Sequence, residues 1–154
     1  MINITKSMAG ATLAMALAAG AASADGGMVT IASAHSVKDT ADKLEKVLES
    51  KGMNVFGRVN HAKGAEKAGM QLQPTELVIF GNPKVGTPLM KCARTVAIDL
   101  PQKALIWQDD AGKVWFSYND PAYLAERHGM EGCEAVLKKV SGALGKFAAA
   151  ATSG

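Results

Sequence analysis

The stretch IFGNPKVGTPLM, residues 79–90, runs from an apolar strand-like segment through Gly81, Asn82 and Pro83 to Gly86 and Thr87. Its reading decides whether the chain is organised around a nucleotide. A phosphate loop needs glycine, four residues and then Gly-Lys-Ser/Thr, because the lysine reaches the outer phosphates while the hydroxyl holds magnesium. Gly81, Gly86 and Thr87 fall in place, but Thr87 follows Gly86 directly and Lys84 sits inside the loop, so the required lysine is missing. Pro83 also removes one of the N–H groups with which such a loop binds phosphate. The residues make better sense as a corner in which a strand ends at Gly81, Asn82 caps a short helix and Pro83 is its first residue. The device returns at Asn119-Asp120-Pro121, with Asp120 as cap. Helix N-terminal N–H groups at such corners are either merely capped or open to an anion.

Outward from this corner, the chain alternates strands and helices. Residues 28–35 alternate apolar and polar positions and predict a first strand. Ser36 with Asp39 three residues on resembles a capping box, and Val37, Ala41, Leu44, Val47 and Leu48 form the stripe of a helix that stops at Gly52. Asp42 and Lys46 are spaced to pair on it. In NVFGRVNH, residues 54–61, Val55, Gly57, Val59 and His61 share one face of a predicted strand, so His61 ends an apolar face. A short helical piece over 62–68 stops at Gly69. Leu77 to Phe80 is a continuous apolar run, expected of a central strand buried on both faces. Further strands are predicted around 96–99 and over 103–108, the latter joined by a turn at Asp109 to Gly112 to a strand carrying Val114, Phe116 and Tyr118 on one face. Helices follow over 121–128, closed by Gly129, and over about 131–150, where Ala135, Val136, Val140, Ala143, Leu144 and Phe147 make the apolar stripe. The natural closure is an α+β fold in two layers, a mainly antiparallel sheet with helices packed on one face.

The chain has 154 residues, 48% hydrophobic and 20% charged, which suits one domain. Its formal charge of +3 is spread without basic runs or interleaved aromatics, so nucleic acid is a poor partner. Residues 1–24 read as a signal peptide: one positive charge at Lys6, an apolar run from about Met8 to Ala19, and Ala22-Ser23-Ala24 as a small-x-small cleavage site. The alternative, a membrane anchor, asks more hydrophobicity than so short an alanine-rich run offers. Cleavage after Ala24 leaves residues 25–154 as a single domain, exported to the periplasm without a stable membrane anchor. Only Lys6 of the charged residues is lost, so the mature chain keeps 16 basic and 14 acidic residues. In an oxidising compartment Cys92 and Cys133 are expected to form a disulfide, which removes about 4 kcal/mol of unfolded-state entropy; the alternative is two buried free thiols.

For chemistry, histidine is the usual carrier near neutral pH. His35 borders the first helix, and His128 lies in the last turn of another, where the helix dipole favours a cation. His61 is the best single candidate, with Glu76, at the start of the central strand, as a partner if the two strands pair. The chain lacks Cys-x-x-Cys, His-Glu-x-x-His and Gly-x-Ser-x-Gly, and its mature methionines (Met28, Met53, Met70, Met90 and Met130) are dispersed, so no metal or cofactor is expected.

At TELVIFGNPKVGTPLM, IDLPQKALIWQD and GKVWFSYNDPAYLAERHG the sequence resembles the bacterial and archaeal domain-of-unknown-function family numbered 302, over nearly the whole mature chain. The resemblance implies a compact α+β domain, a homodimer and no established activity, with a histidine at the place of His61 and the Asn-Pro of Asn82 and Pro83. Where the family commonly runs from Leu-Met through small residues to a proline, this chain has Lys91-Cys92-Ala93-Arg94-Thr95. The leading functional expectation is a periplasmic, non-catalytic module holding a small or apolar ligand between sheet and helices near His61, Asn82 and Tyr118. Lys84 stands beside it as an exposed positive charge, and Asp120 is counted among the ligand-binding residues. Two alternatives are a small enzyme with His61 as general base and Glu76 as its partner, and a structural homodimer domain.

Overall fold

The structure, a computed structural model, describes residues 23–154, with side chains described from residue 26 onward. The expected signal peptide falls almost wholly outside the described residues. At its predicted end, β1 (Ser23–Asp25) pairs with β2 (Met28–Ser33) across Gly26 and Gly27, both at positive φ. The remaining strands are β3 (Asn54–Asn60), β4 (Thr75–Gly81), β5 (Gln102–Gln108) and β6 (Val114–Asn119). All pairs are antiparallel, in the order β1-β2-β6-β5-β4-β3. The helices are α1 (Val37–Ser50), α2 (His61–Lys67), α3 (Pro83–Cys92), α4 (Pro121–His128) and α5 (Glu134–Thr152). The two-layer α+β expectation holds.

Local chemistry explains the helix ends. Ser36 accepts from the Asp39 N–H and donates to its carboxylate, which starts α1 as the sequence predicts. Asn82 caps α3 by accepting from Lys84 N–H, and Asp120 caps α4 by accepting from Ala122 N–H, each followed by proline as first helical residue. Gly129, at φ +59°, closes α4 in the left-handed region that glycine enters without penalty. In the turn between β5 and β6, Asp109 accepts from both Ala111 and Lys113 N–H.

The core lies between the helices and one face of the sheet. Leu44 and Leu48 of α1, Val78 and Phe80 of β4, Ala104 and Ile106 of β5, Phe116 of β6 and Leu144 and Ala148 of α5 are buried together. The Phe80 and Phe147 rings meet edge to face, 6.3 Å between centroids. Each fully buried leucine here contributes roughly 1.5–3 kcal/mol of transfer free energy. Among the described residues the opposite sheet face carries no helix: Leu77, Ile79, Leu105, Trp107 and Trp115 are only half-buried there, and the two indoles stack with centroids 6.4 Å apart. β4 is therefore buried on one face, not on both as its apolar run predicts.

Three further expectations are corrected. A bulge between Val55 and Gly57 breaks the alternation of β3, so Val55, Arg58 and Asn60 face the helices while Gly57 and Val59 face away. The strand expected around residues 96–99 is not formed: Arg94–Ile98 is a 3-10 helix. Both sides of β5 are already occupied by β4 and β6, so this segment has no free ladder beside it and closes its own hydrogen bonds, Asp99 N–H to Val96 O among them. Asp42 pairs with Lys38 at 2.6 Å and Arg58 at 2.5 Å, not with Lys46.

Candidate functional site

The corner that opens the sequence is one wall of a cavity. Asn82 is held from both sides: its Oδ1 accepts from Lys84 N–H at 2.9 Å, and its Nδ2 donates to Gly52 O at 2.9 Å. This fixes the first turn of α3 against the loop that follows α1. Val85 and Leu89, and Gly86 and Met90, are i,i+4 pairs, so they share the inner side of α3. Opposite them stand Ala97 of the 3-10 segment, Leu100, Pro101 and the first residue of β5, Gln102; Met53 and the bulge residue Phe56 complete the lining. The bulge matters here, because it sets Phe56, 58% exposed, at the cavity instead of in the ladder.

The space is about 280 Å³, walled almost entirely by apolar atoms, and among the described residues no charged side chain lines it. Two glycines border it, each placed so that an added Cβ would reach lining residues at ordinary contact distance. A Cβ at Gly81 would come within 3.4 Å of the Phe56 ring, and one at Gly86 within 3.8 Å of Leu100 Cδ1 and 4.0 Å of Met90 Cε. The polar residues of the lining are Asn82, Thr87 and Gln102; Gln102 is 8% exposed, and its Nε2 is the one buried side-chain nitrogen or oxygen without a hydrogen-bond partner among the described residues. An amide N–H left so costs about 1–3 kcal/mol in desolvation. The far end of α3 is pinned by the expected disulfide, Cys92 to Cys133, with Cα atoms 6.3 Å apart.

The predicted site residues are dispersed over the fold. Asn82 lines the cavity; Lys84 is exposed on the next turn but does not line it. Tyr118 is buried in the core against Phe116, and burial pushes its phenol up, with the nearby Asp120 charge acting in the same direction. Asp120 serves as the α4 cap, and its N–H donates to Gly27 O. His61 does not end a strand face. Asn60 turns the chain by accepting from Lys63 N–H, so His61 becomes the exposed first residue of α2. Glu76 lies opposite Asn60 in the β3–β4 register, yet its carboxylate accepts from Arg58 Nε and, at 2.8 Å, from Asn60 Nδ2. Among the described residues no hydrogen bond joins it to His61. Glu76 instead belongs to an ion network in which Arg58 ties β3 and β4 to Asp42 and Glu45 of α1. It also lines a broader, more polar depression of about 610 Å³ between the start of α1 and α2.

Two features escaped the sequence reading. The first is Gln102, since nothing in a lone glutamine at a strand start signals an orphaned amide. The second is the His128 side chain, only 6% exposed, whose Nε2 lies 2.6 Å from Asp99 Oδ2 and whose Nδ1 lies 3.1 Å from Thr95 Oγ1. Its place in the last turn of α4 was legible; its partners, some 30 residues away, were not. Among the described residues no group of three or more His, Cys, Asp or Glu side chains is placed to hold a metal ion.

A sequence profile described as "Domain of unknown function DUF302" matches residues 29–147. The chain belongs to this family. The DUF302 fold is also seen in the crystal structure of an uncharacterized conserved DUF302 protein from Bacillus stearothermophilus, which superposes with a TM-score of 0.74 at 16% identity, covering 82% of this chain and 99% of that one. At the level of sequence the DUF302 chain is 54% identical, over 106 residues, to proteins named fluoride-specific ion channel FluC 1 from Brucella suis biovar 1 (strain 1330) and Brucella abortus biovar 1 (strain 9-941). The match takes in 69% of this chain but only 42% and 39% of those relatives, so it spans about two fifths of their length. Among the described residues no helix is long and apolar enough to cross a membrane.

Proposed function

We propose that this DUF302 protein is a periplasmic, non-catalytic binding module, and that its ligand, a small apolar molecule, occupies the cavity under α3. The observation that carries the reading is the cavity itself: an apolar space of about 280 Å³, bordered by Gly81 and Gly86 and framed by a bulge and a capped corner. The export part rests on the charge, apolar run and small-x-small pattern of residues 1–24. Ion conduction is not carried over from the Brucella relatives, because the match covers less than half of each of them. The enzyme reading with His61 and Glu76 gains no support from a Glu76 carboxylate already held by Arg58 and Asn60.

Naphthalene titrated into the mature protein and followed by two-dimensional NMR tests the reading. Resonances of Phe56, Val85 and Met90 are expected to shift saturably, and Gly86→Leu, whose side chain would project into the space, should abolish the effect. That variant should not melt earlier than wild type, since replacing a mid-helix glycine gains up to about 1 kcal/mol of helix propensity. Shifts confined to other surfaces, or shifts that persist in Gly86→Leu, would refute the assignment.

A second reading is favoured by one observation: the sheet face that carries no helix among the described residues, with its half-buried Leu77, Ile79, Leu105, Trp107 and Trp115. We infer that a second copy of the chain covers it, making the homodimer implied by the family resemblance. Five strands about 4.8 Å apart, each rising about 3.4 Å per residue, present a face of roughly 20 by 24 Å. That is about 480 Å², rather more than half of the roughly 800 Å² that each partner buries in a standard interface, and residues flanking the patch would supply the rest.

A further inference from the structure

We propose that the ligand of the cavity under α3 is a single-chain anionic amphiphile, with its apolar end in the cavity and its carboxylate outside, at the edge of α3 that carries Lys84 and Lys91. The proposal deepens the binding reading and rests on it. The first observation is where the charge lies. Residues 82–103, which build α3, the 3-10 segment and the wall at Pro101 and Gln102, hold four cations, Lys84, Lys91, Arg94 and Lys103, against one acid, Asp99. Their net of +3 equals the formal charge of the entire chain: of its 17 basic and 14 acidic residues, the 13 and 13 outside this segment balance. No two of these cations are adjacent in sequence, so the concentration shows as no basic run. Asp99 does not offset the lysines of α3, because its carboxylate is paired with His128 and Arg127. Lys103 is occupied by the carbonyls of Asp99 and Pro101. Lys84 and Lys91 are exposed, and among the described residues neither has a carboxylate within ion-pair distance.

Helix geometry brings this charge to the cavity. Thr87 lines the space, and it lies three residues after Lys84, four before Lys91 and three before Met90, which also lines it. Residues so spaced are neighbours on a helix surface, with Cβ atoms about 5–6 Å apart. Thr87 is therefore the edge of the cavity on α3: Met90 stands on its inner side, the two lysines on its solvent side, and its own exposed hydroxyl between them. A lysine ammonium on its flexible four-carbon stem spans that separation. Inside, the lining is apolar and holds no charged side chain among the described residues, so an ionised group placed there would lose its water without a counter-charge. A molecule that uses both features has an apolar end within and an anion at the lysines. Volume bounds the apolar end: a cavity of about 150 Å³ takes up benzene, with its six heavy atoms, so 280 Å³ holds roughly a dozen. That is too little for a diacyl lipid and enough for one medium-length chain, so the class indicated is a free medium-chain or aryl carboxylic acid in its ionised form.

Three probes with one chain and different heads test this: octanoate, octan-1-ol and octylammonium, titrated into the mature protein below their micelle-forming concentrations and followed by NMR at Phe56, Val85 and Met90. Wild-type protein is expected to bind octanoate about fivefold more tightly than octan-1-ol, with octylammonium weakest, and the spread should narrow in 0.5 M sodium chloride because the lysines are exposed. In the double variant Lys84→Gln, Lys91→Gln the three should bind alike, with the octan-1-ol affinity held and the melting temperature essentially unchanged, since both positions are on the surface. Equal binding of octanoate and octan-1-ol by wild type, or a preference for octanoate that survives in the double variant, would overturn the proposal while leaving the cavity reading intact. If none of the three, nor naphthalene, shifts the cavity resonances, the binding reading falls, and this proposal with it.

Discussion

Asp42 shows how a single side chain couples two elements. Hydrogen bonds from Arg58 and then from Lys38 hold its carboxyl below the ordinary aspartate value. The unfolded chain therefore takes up this proton first as the pH falls. Stability from Asp42 is complete above the ordinary aspartate range and is lost as the pH falls through the lower, folded value. Urea denaturation between about pH 6 and about pH 2.5 should show wild type losing stability more steeply than Asp42→Asn, the two converging at the acid end. Parallel curves across the range would show that the carboxylate contributes nothing through its charge. The sequence makes Asp42 an i,i+4 partner for a lysine, and the helix indeed supplies one, but at i−4, Lys38, and not at i+4, Lys46. The larger partner, Arg58, comes from a strand, and only the packing of α1 on β3 could select it. Histidine tells the same story: His61 looked placed on an apolar face and is exposed, while His128, buried against Asp99, looked like a helix-end cation.

At the scale of elements, the two capped corners were readable because each is decided within three or four residues: Asn82 with Pro83, and Asp120 with Pro121. Segments whose state depends on neighbours were not. Residues 94–98 carry strand-like alternation at Val96 and Ile98, yet Ile98 is 75% exposed and the segment coils as a 3-10 turn beside a sheet with no vacant edge at β5. This turn and α3 form the two sides of the cavity, and the Cys92–Cys133 disulfide fastens the end of α3 to the start of α5. With the cysteines at a sequence separation of 41, chain entropy alone sets the contribution at about 4 kcal/mol. Paired urea titrations of oxidised and dithiothreitol-reduced protein should differ by about that amount, and the double variant Cys92→Ser, Cys133→Ser should match the reduced form. A difference below about 1 kcal/mol would mean that the bond constrains little in the unfolded chain.

At the scale of the molecule, the placing of every long helix of the described residues on one face leaves the other face of the sheet without cover among those residues. Its patch of Leu77, Ile79, Leu105, Trp107 and Trp115 is the surface on which the homodimer proposal stands. Sedimentation velocity at tens of micromolar should give a dimer for the mature protein and a monomer for Ile79→Lys, while naphthalene binding at the remote cavity stays unchanged. A wild-type monomer would remove the dimer and leave the cavity proposals standing. Alternation, caps and turn residues prescribed the strand and helix order from residue 28 onward except at residues 94–99, the two-layer α+β class and the pairing of the only two cysteines, because each is written in local spacing or in the count of residues. The β3 bulge, the half-exposed second face of β4, the partners of Glu76 and His128, and the cavity with its orphaned Gln102 amide were decided by tertiary structure. Each depends on which distant segments meet, and a linear pattern of burial does not specify the partner that provides it.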